Sequence, residues 1–88
     1  MKYAVKLSER ALKALKNIDN KQRIIIMSWI EKNLQDCENP RIYGHPLVAN
    51  KKDYWKYRVG SYRLIADIKN NLLIIIIINI GHRKDIYK

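Results

Sequence analysis

The sequence holds a single cysteine, Cys37, which excludes an intrachain disulfide framework and suits a reducing, cytosolic setting. It also lacks an apolar run long enough to cross a bilayer. Leu72 to Ile78 are seven aliphatic residues in a row, ended by Asn79, where a spanning helix needs roughly 20. The N-terminus reads as a strand rather than an apolar leader, and no segment is repetitive or low in complexity. There is no Gly-rich phosphate loop, no carboxylate pair and no Ser/His/Asp constellation. His45, His82 and Cys37 lack metal-ligand spacing, so neither a metal nor another cofactor is expected. Acids are scarce as well. Eight Asp+Glu stand against eighteen Lys+Arg, a net charge of +10 that favours a polyanionic partner. From Lys51 onward nine Lys/Arg face three acids, net +6, against nine and five, net +4, in the first fifty residues. The cationic excess is densest toward the C-terminal end.

The 88 residues, 48% of them hydrophobic, suit one domain over 1–88 with one modest core. Tyr3 to Leu7 alternate as a strand, with Tyr3, Val5 and Leu7 on one face. Ser8 is placed to cap a helix, ERALKALKN, in which Ala11, Leu15 and Ile18 recur at helical spacing. Asp19 or Asn20 is placed to cap a second, KQRIIIMSWIEKNLQD, with Met27, Ile30 and Leu34 inward and Ile26 and Trp29 broadening that stripe. A link of about two residues makes these helices an antiparallel hairpin. Pro40, Gly44 and Pro46 mark a surface loop. Three strands follow, Asp53 to Val59, Tyr62 to Lys69 and Leu72 to Ile80, joined by the two-residue links Gly60-Ser61 and Asn70-Asn71. The expected fold is α+β, βααβββ, with both helices on one face of a mostly antiparallel four-stranded sheet.

Strand alternation places the cations. Trp55, Tyr57 and Val59 share one face; Tyr54, Lys56 and Arg58 share the other. A two-residue turn at Gly60-Ser61 pairs Val59 with Tyr62 and sets Arg58 opposite Arg63, a repulsive arrangement that an anion-binding sheet explains and a purely structural one does not. A two-residue turn at Asn70-Asn71 would pair Asn79 with Tyr62 and Ile78 with Arg63. A bend at Gly81 then brings Arg83 to the same neighbourhood, with Tyr87 folding over it. The aromatic residues Tyr54, Trp55, Tyr57 and Tyr62 read mainly as packing residues. His82 reads as a satisfied loop histidine or as a proton donor.

YWKYRVGSYRLI, the hydrophobic strand after it and the terminal IGHRKDIY together resemble the RelE branch of the RelE/ParE toxin superfamily of bacterial toxin–antitoxin systems. ERALKALKNID also suits that family's first helix, so the resemblance covers nearly the whole chain. It implies a cytoplasmic bacterial endoribonuclease that cuts mRNA in the A site of the 70S ribosome and is neutralised by a cognate antitoxin in a hetero-oligomeric complex. Lys56, Arg58, Arg63, Arg83 and Tyr87 match the family's catalytic positions, and strand alternation by itself gathers the first four. Lys51, Lys52, His82 and Lys84 flank them as expected RNA contacts. Arg58 stands where some members carry a second lysine, and the LVAN stretch lacks a basic-Gly pair often found there.

Cleavage by a 2′-hydroxyl needs a base, stabilisation of a dianionic phosphorane and an acid for the leaving 5′-oxygen, and it needs no metal. Neighbouring cations favour a neutral lysine, which fits Lys56 as the base. Arg63 and Arg83 suit transition-state stabilisation, since arginines keep their protons. Tyr87 stacks on a base, orients the substrate or helps protonate the leaving oxygen. The rivals are a ParE-like inhibitor of DNA gyrase and a basic RNA- or ribosome-binding module without chemistry.

Overall fold

Ser8 organises the N-terminal half. Its Oγ accepts a hydrogen bond from the Ala11 amide, 3.1 Å, capping helix α1 (Glu9–Asn17) just after strand β1 (Ala4–Leu7). Helix α2 (Asn20–Asn33) follows after two residues, and Asp19 holds its N-cap position without a side-chain cap bond. Arg23 closes the hairpin. Its guanidinium donates to the carbonyl of Leu15, 3.0 Å, which also accepts from the Ile18 amide at the end of α1, and to that of Ile18, 3.1 Å. The computed structural model describes residues 1–47 and 54–82.

A 3-10 turn (Pro40–Tyr43) and the short strand β2 (His45–Pro46) occupy the region expected to be plain loop. Strands β3 (Tyr54–Val59), β4 (Tyr62–Lys69) and β5 (Ile74–His82) complete the sheet. Its order is β1–β5–β4–β3–β2, with β1 parallel to β5 and every other pair antiparallel. The α+β class and mostly antiparallel sheet are as expected; the strand count is five, not four, because β2 adds to the edge of β3.

Both helices cover one face. Ala11, Leu15 and Ile18 of the first helical segment meet Ile26, Ile30 and Leu34 of the second over Tyr57, Val59, Leu64, Ala66, Ile75 and Ile77. Ile26 takes the central place expected of Met27, which is only half-buried. Among the described residues the buried side chains are apolar or aromatic, so apolar contact dominates this core, and the Tyr57 hydroxyl finds a partner in the Pro40 carbonyl. No described helix is long and apolar enough to cross a membrane.

The β4–β5 register departs from expectation. The link is four residues, Asn70 to Leu73, so Lys69 pairs with Ile74 rather than Leu72. Its turns are closed by Leu72 donating to the Lys69 carbonyl, 3.2 Å, and Leu73 to that of Asn70, 3.3 Å. A bulge then leaves Ile78 without a partner in β4, between the Ile65–Asn79 and Ala66–Ile77 pairs. Ser8 holds that bulge: its Oγ donates to the Ile78 carbonyl, 3.0 Å. Tyr62 therefore faces His82, not Asn79, and Arg63 faces Gly81, not Ile78. Gly81 lies within β5 instead of bending away from it.

Fully buried Ile26 and 56% exposed Ile24 test this assignment of the core. Ile26→Ala should cost about 2–5 kcal/mol in urea unfolding, and Ile24→Ala within about 1 kcal/mol of zero. Equal costs would mean that α2 turns a different face to the sheet.

Candidate active site: a cationic cavity on the open sheet face

The turn at Gly60-Ser61 sets the site. Gly60 sits at φ +60, a conformation that favours glycine, and the two-residue link fixes Val59 opposite Tyr62. Arg58 thereby lies directly across from Arg63, as expected, and Lys56 across from Ile65 on the same outer face. Side chains so paired have Cβ atoms about 4.5–5.5 Å apart. Lys56, Arg58 and Arg63 line one cavity of about 70 Å³. A fourth basic residue, His45, completes its wall.

His45 is the site residue that sequence reasoning misses. Metal-ligand spacing is the only question the sequence raises about it, inside a supposed loop. The structure pairs His45 with Lys56 and Pro46 with Trp55. A GHP stretch before an alternating strand is compatible with a short edge strand, where proline is tolerated, and that is the signal that could have found it.

Inward residues of β3 hold this edge. The Tyr57 hydroxyl donates to the Pro40 carbonyl at 2.7 Å, and Trp55 Nε1 donates to the Arg41 carbonyl at 3.2 Å. The Arg41 guanidinium carbon lies 5.8 Å from the centre of the Trp55 ring. Its Nη1 donates to Asn70 Oδ1, 2.9 Å, which also accepts from the Tyr3 hydroxyl, 3.0 Å. Gly44 lets the chain approach β3 closely: a Cβ there would overlap the Lys56 carbonyl oxygen and come within 2.8 Å of Tyr57 Cδ1.

The two arginines of the cavity carry little local compensation. Among the described residues the ion pair found is Lys69 with Asp67, 3.0 Å, toward the other end of β4. Neither Arg58 nor Arg63 pairs with a described carboxylate; Arg63 Nη1 donates to the Tyr62 carbonyl, 3.3 Å. Asp67 shares their outer face four residues further along β4 from Arg63. A broader groove of about 450 Å³, lined by Leu47, Tyr54, Ile65, Ile78 and Asn79 among others, continues along that face.

His82 lies with Tyr62 on the helix-facing side, their rings edge to face at 5.7 Å. It is thus half-buried against an aromatic ring rather than among the outer cations. Arg83, Lys84 and Tyr87, and likewise Lys51 and Lys52, lie outside the described residues. Cys37 is no activated nucleophile, because burial pushes its thiol up from its ordinary value. No three described His, Cys, Asp or Glu side chains cluster as metal ligands.

The sequence pattern of the ParE toxin of type II toxin–antitoxin systems, parDE, matches residues 5–87. The chain belongs to the RelE/ParE toxin superfamily. A RelE-like toxin protein of Escherichia coli is 32% identical over 90 residues, spanning 99% of this chain and 92% of that one. The isolated Escherichia coli RelE toxin superposes with a TM-score of 0.73 at 25% identity, covering 97% of this chain and 90% of that one. A chain of a RelBE toxin–antitoxin complex of Mycobacterium tuberculosis shares the fold at a TM-score of 0.83 and 22% identity, over 97% of this chain and 95% of that one.

Two measurements check the site's physical description. Replacing Arg58 by threonine, a good strand former, should leave stability unchanged or raise it by roughly 0.2–1 kcal/mol, and salt should stabilise the wild type more than the variant. Thermal melts across a salt series decide this; a clear loss of stability would mean that a favourable contact of Arg58 outweighs the repulsion. Burial, then the nearby Cys37, raises the Tyr57 hydroxyl well above its ordinary value against the opposing pull of Arg41. The folded value exceeds the unfolded one, so the protonated phenol stabilises fully below about pH 10 and this stability is lost as pH rises above it. Tyr57→Phe should cost about 1–3 kcal/mol at pH 8, by leaving the Pro40 carbonyl without its donor, and the gap to wild type should narrow above about pH 10. A gap independent of pH in urea melts would contradict it.

Proposed function

We propose that this toxin is a metal-independent endoribonuclease that cuts mRNA in the ribosomal A site and so inhibits translation. The observation that carries the reading is the convergence of Lys56, Arg58 and Arg63 on one cavity of the open face, with the two arginines directly opposed. A crowded cationic cluster of this kind stabilises a phosphorane that gains negative charge, which is the largest requirement of 2′-hydroxyl attack. Arg58 and Arg63 supply fixed positive charge, and Lys56 handles a proton. Arg83, next in sequence after the residue that faces Tyr62, joins them as a further charge, and Tyr87 stacks on or orients the substrate. Lys51, Lys52 and Lys84 contact the RNA backbone, and His82 contributes beside Tyr62. The ribosome itself positions the message against this cluster.

A cognate antitoxin neutralises the toxin in a hetero-oligomeric complex. The RelE relatives of known structure include toxin–antitoxin complexes from Escherichia coli and Mycobacterium tuberculosis. A net charge of +10 favours an acidic segment over the cationic face. The match to the ParE family supports a second reading, inhibition of DNA gyrase without chemistry.

Single-turnover cleavage on programmed ribosomes decides between them. Wild type should cut translated mRNA and leave a 2′,3′-cyclic or 3′-phosphate and a 5′-hydroxyl. Arg83→Ala and Lys56→Ala should each lose about 10²–10³ in rate, by comparison with removal of one oxyanion donor. Ribosome binding, which draws on charge over the whole surface, should fall far less. No cuts together with blocked gyrase supercoiling would establish the second reading instead.

A further inference from the structure

The small edge strand β2 is held more firmly than two residues of pairing require. On its N-terminal side Tyr57 and Trp55 fasten the Pro40 and Arg41 carbonyls, and Gly44 lets the backbone settle against β3. On its C-terminal side the Leu47 amide donates to the Tyr54 carbonyl, 2.9 Å. These contacts fix the two intervening residues, Pro46 opposite Trp55 and His45 opposite Lys56. The imidazole is exposed, makes no hydrogen bond among the described residues and contributes nothing to the core. What it does is line the cationic cavity. A residue with no structural task, held by much structure at the wall of a reactive cavity, is placed for chemistry.

We propose that His45 is a catalytic residue of this cavity, accepting the proton of the attacking 2′-hydroxyl; this rests on the ribonuclease reading above. The charged groups facing it are Lys56 and Arg58 from β3 and Arg63 from β4. Arginines do not give up or take protons under ordinary conditions. A lysine is ordinarily an ammonium near neutral pH and so an acid, whereas imidazole is the side chain abundant there in its neutral, accepting form. The division of labour follows. As the O2′–P bond forms, the 2′-hydroxyl proton passes to the His45 ring nitrogen. As the P–O5′ bond breaks, the leaving oxygen takes a proton from the Lys56 ammonium. The products are a 2′,3′-cyclic phosphate and a 5′-hydroxyl, and solvent restores both side chains. Lys56 thereby becomes the acid rather than the base that its cationic neighbours alone suggest.

The test is single-turnover cleavage on programmed ribosomes by the full chain carrying His45→Gln, His45→Ala or Lys56→Ala. Each uses an ordinary mRNA and one with a sulfur in place of the scissile 5′-oxygen, a leaving group that needs no proton. His45→Gln and His45→Ala should slow cleavage about 10²–10⁴-fold on both substrates, with ribosome affinity and melting temperature kept. The rise of wild-type rate through the range where imidazole loses its proton should disappear, and added imidazole should partly rescue His45→Ala. Lys56→Ala should be slow on the ordinary message and restored on the sulfur one. His45→Gln cutting at the wild-type rate with an unchanged pH profile would overturn the inference and leave the ribonuclease reading standing. Rescue of the His45 variants by the sulfur leaving group would overturn the accepting role. A wild type that cuts neither message would overturn both readings together.

Discussion

The pairing of β3 with β4 through Gly60-Ser61 is the constraint from which the rest follows. A two-residue link admits one register, and a one-residue slip would exchange the two faces of both strands. In the register adopted, Tyr57, Val59, Leu64 and Ala66 enter the core while Lys56, Arg58 and Arg63 stand on the open face. Apolar burial and cation placement are therefore one decision. The burial of Tyr57 and Leu64, each fully inaccessible to water, far outweighs the repulsion between two partly solvated guanidiniums. The core holds the arginines opposite each other against their own preference.

Strand β3 does a second job by the same alternation. Its inward side chains reach past the core to the chain that precedes them: Tyr57 to the Pro40 carbonyl, Trp55 to that of Arg41. Its outward side chains form the cavity. The aromatic residues that a sequence reading assigns to packing are thus also the fasteners that bring His45 to Lys56. Trp29 supports them from α2, its ring 5.5 Å from that of Tyr57. Sheet edge, core and cavity share one strand, so a disturbance at Tyr57 should be felt on both faces.

What the sequence made legible was whatever depended on short-range pattern. Helix α1 runs over the expected residues because Ser8, the Ala11–Leu15–Ile18 spacing and the end at Asn17 are all local. The Arg58–Arg63 pair was legible because a two-residue glycine turn leaves no alternative. The β4–β5 register was not. Asn70-Asn71 is a sound two-residue turn by local rules, but Asn70 is committed to Tyr3 and Arg41, and the Leu73 carbonyl accepts from the Ala4 amide, 2.9 Å. Those distant partners lengthen the loop, and Leu73 takes φ 55 to complete it. The bulge at Ile78 likewise depends on Ser8, seventy residues away. A run of near-identical isoleucines carries no alternation from which either shift could be read. Strand β2, and with it His45, escaped for the same reason: two residues make no period, and what holds them lies on β3.

The superfamily match leaves the biochemical branch to the outer face. The family pattern is that of ParE, while the solved relatives include RelE, and a shared scaffold does not choose between chemistry and plain binding. The distribution of charge is what supports the proposed chemistry. An inhibitor that only binds gains as much from cations scattered over the surface as from cations crowded together, and scattering avoids repulsion. In this chain two guanidiniums and an ammonium share one small cavity with an imidazole, held by a glycine turn on one side and a fastened edge strand on the other. Crowding of this kind is useful where negative charge appears at one point and only briefly, as on a phosphorus under attack. The free protein bears the repulsion at all times, and a transition state would relieve it. That asymmetry between ground and transition state is the physical reason to favour catalysis over binding.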